Sequence, residues 1–170
     1  MRQTVFWISY ILLLLAQLLL SNYFRFTPYV MLTILPVMVL SISTRVNRIA
    51  VMIIAFATGL VVDLLSEGLL GLNSLALVPV AFSRDFVIRL LFGRELFSRK
   101  EDFSVQSHGW GKVALAIFLA QALFLVVYIW ADGAGMRPLW FNAARFGASL
   151  VAGFLVSLLT LPVLASDSRK

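Results

Sequence analysis

The sequence contains no cysteine and a single histidine. The first absence excludes disulfides, thiolate metal sites and cysteine nucleophiles. The second leaves little general-base chemistry. His108 lies in a loop with no second metal ligand nearby. Ser149, in the run FGASLVAG, has no histidine at a plausible depth, so a Ser–His nucleophile is missing. No P-loop or dinucleotide fingerprint occurs, and neither a cofactor nor a bound metal is expected. The acids Asp63 and Glu67 stand four apart, but one such pair at a membrane end is thin support for acid/base work. The sequence therefore does not point to an enzyme.

Charge is scarce as well. Only 13% of residues are Asp, Glu, Lys or Arg, whereas 61% are hydrophobic. A soluble domain of 170 residues has too much surface to hide that much apolar side chain. The composition calls for an integral membrane protein with the lipid bilayer as its main solvent. The chain 1–170 reads as one membrane domain. The formal charge of +6 does not imply nucleic acid, because the basic residues fall in short loops where topology accounts for them.

A span needs about 20 mostly apolar residues. Six candidates occur, at about 5–21, 27–43, 49–65, 73–92, 113–131 and 140–164. The first is read as a retained span, not a cleaved leader, since no small-residue cleavage site follows it. All six are expected to be helices, because a helix satisfies its own backbone groups in lipid. Pro36 and Pro79 are expected to kink the second and fourth. With six crossings, Arg2, Arg45, Arg48, Arg94, Arg99, Lys100, Lys112, Arg169 and Lys170 share one side. Only Arg25 and Arg137 lie on the other. This bias puts both termini, and the large loop at about 93–112, in the cytoplasm.

Several residues in the spans call for partners. Ala55, Gly59 and Asp63 are spaced four apart and share a helix face. The small pair Ala55 and Gly59 allows close helix approach, so Asp63 should point into the bundle. An acid there is either a ligand, ion or proton site, or a group that caps or locks helices. Arg145 matches Asp63 in depth near the outer face and is its expected partner, with Arg84 the next candidate. Asp85 and Arg89 are four apart and can pair along one face. Arg84 lies deeper, and nothing in the sequence names its partner. On the sixth span, Ala144, Ala148 and Ala152 form one row of small residues, and Ser149, Gly153 and Ser157 form another. Either row can pack within the chain or against another protein.

The stretch GLVVDLLSEGLLGLNSLALVPVAF resembles the bacterial rod shape-determining MreD family. That family carries G-L-x-x-D-x-L at the end of one span, followed by a short turn with L-G. The matching residues here are Gly59, Leu60, Asp63, Leu65, Leu70 and Gly71. The resemblance implies a compact all-α bundle of six transmembrane helices, similar to the substrate-binding subunits of energy-coupling-factor transporters. It implies a non-catalytic scaffold of lateral peptidoglycan synthesis in the bacterial inner membrane. The implied partners are an MreC-type bitopic protein, a cell-wall glycosyltransferase and transpeptidase and, indirectly, MreB-type filaments. Gly68 and Gly71 would let the chain reverse. The alternative is a vitamin-transporter subunit, with Trp130, Asp132, Trp140 and Asn142 available around an outer pocket.

Overall fold

The computed structural model describes residues 2–23, 30–44, 46–67, 70–93, 109–133 and 136–165. Outside these lie Gly68, the expected turn residue, and His108. So do Arg25, Arg45, Arg94, Arg99, Lys100, Arg169 and Lys170, most of the charges used for orientation. Six helices are present among the described residues: α1 (Arg2–Tyr23), α2 (Leu35–Ser41), α3 (Arg48–Val62), α4 (Leu72–Phe92), α5 (Trp110–Gly133) and α6 (Leu139–Ala165). A π-helical turn, Asp63–Glu67, continues α3. There is no strand among the described residues.

Four of these helices are long and apolar enough to cross a membrane: α1, α3 with its π turn, α5 and α6. Helix α4 has the length, at 21 residues, but carries Arg84, Asp85 and Arg89. Helix α2 has only seven residues, about 10 Å of helix. The expected continuous helix over 27–43 is therefore corrected, since residues 30–34 are not helical. Pro36 does not kink a helix; it lies in the first turn of α2, where its missing N–H costs no intrahelical bond. Helix α4 runs unbroken through Pro79.

Packing follows from which faces are apolar. Helices α3 and α4 lie side by side, α4 packs on α5, and α5 on α6. Helix α2 sits inside, touching α4 and α5, with Leu35, Val37, Met38, Val39 and Leu40 fully buried. The outer faces are apolar too. Ile8, Ile11, Leu12, Leu15 and Leu19 of α1 are exposed, as are Phe82, Phe86 and Leu90 of α4 and Val151, Leu155 and Leu159 of α6. Apolar residues both inside and outside a bundle indicate lipid as the surrounding medium. On α6 the row Ser149, Gly153 and Ser157 faces inward and is buried, so it packs within the chain. Ala144, on the other row, is exposed.

Candidate functional site

The stretch with the motif forms one clasp between α3 and α4. Asp63 ends α3 and is completely buried. Its carboxylate accepts hydrogen bonds from the Gly71 N–H at 3.0 Å and the Asn73 N–H at 3.0 Å. The Asn73 side-chain amide donates at 2.9 Å and the Ser74 N–H at 3.4 Å. These backbone donors belong to the first turn of α4, which has no side-chain cap of its own. Asp63 thus caps α4 from the preceding helix. Its negative charge lies where free N–H groups and the positive end of the helix dipole converge.

The two glycines make this possible for different reasons. Gly71 has φ +92°, a left-handed conformation that disfavours other residues. Gly71 is the N-cap residue of α4, and its N–H meets the Asp63 carboxylate. Gly59 is where the helices touch. A Cβ there would lie 2.5 Å from Ser74 N and 2.6 Å from Ser74 Cα. Ser74 completes the contact by donating its hydroxyl to Phe56 O at 3.0 Å.

The structure corrects the expected pairing of Asp63 with Arg145. Depth alone suggested it, but the acid is satisfied by amides. Arg145 instead pairs with Asp132, across the turn between α5 and α6. Arg137 binds the same Asp132 oxygen at 2.7 Å. The Arg145 guanidinium also stands 6.0 Å from the Tyr128 ring centroid. Asp132 and Arg145 are each close to nine-tenths buried, so removing either leaves a charge poorly solvated. Asp132→Asn and Arg145→Gln are expected to give a double-mutant coupling of about 1–3 kcal/mol, read from unfolding midpoints in detergent. Additive effects would count against a working pair. Asp132 is thus engaged by two arginines, while Trp130 and Trp140 of the expected outer pocket are largely exposed.

Arg84 is a second fully buried charge among the described residues, 1% exposed. It caps a helix of opposite polarity. Its guanidinium donates to Leu40 O at 3.4 Å and to Ile42 O, at the C-terminus of α2. There, free carbonyls and the negative end of the helix dipole favour a cation. Asp85 lies 3.4 Å from the same guanidinium. Asp63 and Arg84 therefore do the same job at opposite helix ends.

Sequence reasoning missed a third set. The non-helical stretch 30–34 leads into α2, and its backbone is held by side chains from three helices. Gln17 of α1 accepts from Ile34 N–H at 2.8 Å and donates to Leu32 O at 3.3 Å. Ser149 of α6 accepts from Met31 N–H at 2.9 Å. Gln121 of α5 donates to Thr33 O at 3.4 Å. Backbone N–H and C=O groups outside a helix need other partners when buried, and these three residues supply them. The available signal was a lone amide in each of two apolar runs, LLLLAQLLL and IFLAQALF.

No family model, curated protein or solved structure matches the chain.

Proposed function

We propose that this protein is a non-catalytic scaffold of the bacterial cell-elongation machinery, an MreD-type inner-membrane protein working with an MreC-type partner. One observation carries this reading. The residues of the family resemblance, Gly59, Asp63 and Gly71, form a single clasp that fixes α4 on α3. A motif spent on helix placement suits a protein whose product is a shape presented to partners. The buried Arg84 is likewise engaged on backbone carbonyls of its own chain.

In this reading the chain crosses the membrane six times with both termini cytoplasmic. The second crossing is the non-helical stretch 30–34 followed by α2. The helix itself covers only about 10 Å of the ~30 Å of a hydrocarbon core. Arg84 and Gln17 are what make so short a crossing tolerable. Helix α4 is the fourth crossing, its deepest charge covered by the end of α2.

Depletion in a laterally elongating rod-shaped host tests the function. Cells are expected to round or widen without acquiring a vitamin requirement, as scored by microscopy and growth. Cells that keep their shape and grow again on a vitamin supplement would overturn the proposal.

A further inference from the structure

The turn between α5 and α6 exposes apolar side chains where a water-facing loop would carry polar ones. Trp130, Met136, Leu139 and Trp140 are each at least 67% exposed. Arg137 lies among them. One of its nitrogens bonds Asp132, yet the side chain stays 40% exposed, so other N–H groups of the guanidinium can reach an anion. The start of α5 repeats the pattern, with Trp110 and Lys112 both exposed. Between Lys112 and Trp130 the exposed residues of α5 are Leu115, Phe118, Leu119 and Val126, all apolar. At about 1.5 Å per residue, Trp110 and Trp130 stand roughly 30 Å apart along the helix axis. That is the thickness of a hydrocarbon core. Tryptophan is favoured at both membrane–water boundaries, because its ring is apolar and its N–H is polar.

We propose that the α5–α6 turn is a lipid-binding surface: Trp130, Met136, Leu139 and Trp140 lie at the headgroup boundary of one leaflet, and Arg137 binds a lipid phosphate. Trp110 marks the boundary of the other leaflet. A small soluble ligand would need these rings to enclose it, and each stands mostly open. Lipid fits both the apolar side chains and the cation between them. The proposal goes beyond the scaffold reading and holds equally for a transporter subunit.

Depth-dependent fluorescence quenching tests the placement. The full chain, with all but one tryptophan replaced by phenylalanine, is placed in phosphatidylcholine vesicles whose lipids carry a spin label near the headgroup or near the chain end. Trp110, Trp130 and Trp140 are each expected to be quenched more by the shallow label. Phe118→Trp, in a chain without the native tryptophans, reports the middle of the span and should be quenched more by the deep one. Stronger deep quenching of Trp130 or Trp140 would overturn the proposal. So would quenching by neither label, which would mean that water or a second copy of the chain covers the turn. Arginine 13C-labelled at Cζ reports the phosphate contact through dipolar dephasing by lipid 31P. Arg137→Lys keeps a cation beside Asp132 but removes one labelled carbon, and part of the dephased signal should vanish with it. Unchanged dephasing would overturn the phosphate contact and the proposal with it.

Discussion

Asp63→Asn is expected to lower the melting temperature of the purified protein by roughly 5–10 °C. The carboxylate takes four donors, three of them backbone N–H groups of Gly71, Asn73 and Ser74 at the start of α4. Asparagine offers one acceptor oxygen and turns an NH2 toward donors. Hydrogen bonds to a charged acceptor contribute about 1.5–3 kcal/mol each, and buried donors left without a partner add a penalty. A net loss of about 2–3 kcal/mol corresponds to some 2–4 °C per kcal/mol in a chain of this size. Thermal unfolding in detergent measures it. An unchanged midpoint would mean that the amides find water or another acceptor, and that Asp63 does not cap α4.

Gly59→Ala should be at least as damaging, at about 3 kcal/mol. The added methyl meets Ser74 N, Ser74 Cα and Asn73 C, all within 2.8 Å. These are backbone atoms of a helix, so no rotamer change relieves the clash, and α4 must move as a unit. The same motion pulls the Asn73 and Ser74 amides off Asp63. Gly59→Ala and Asp63→Asn should therefore be less than additive. Gly147→Ala is the control: a Cβ there has nothing within 4 Å, and the midpoint should hold or rise slightly. Equal effects at Gly59 and Gly147 would show that α3 and α4 are not in contact at Gly59.

The inward direction of Asp63 was legible in sequence because it depends only on helical spacing from Ala55 and Gly59. Its partner was not legible. Matching charge to charge by depth finds Arg145, but the real partners are amides of a helix start, which every sequence possesses. Arg84 went unpaired for the mirror-image reason, since its acceptors are the last carbonyls of α2. The second span was misread because hydropathy reports what is apolar, not what is helical. Residues 30–34 are apolar enough for a helix, yet their backbone is bound instead by Gln17, Gln121 and Ser149 from distant parts of the chain. Only the assembled bundle brings those three together.

Affinity purification of the full chain from its native membrane, in mild detergent, tests the scaffold reading most directly. Recovery of a single-pass MreC-type protein together with a cell-wall glycosyltransferase and transpeptidase is the expected result. Recovery of a paired ABC-type ATPase in their place would contradict it and identify the chain as a transporter subunit.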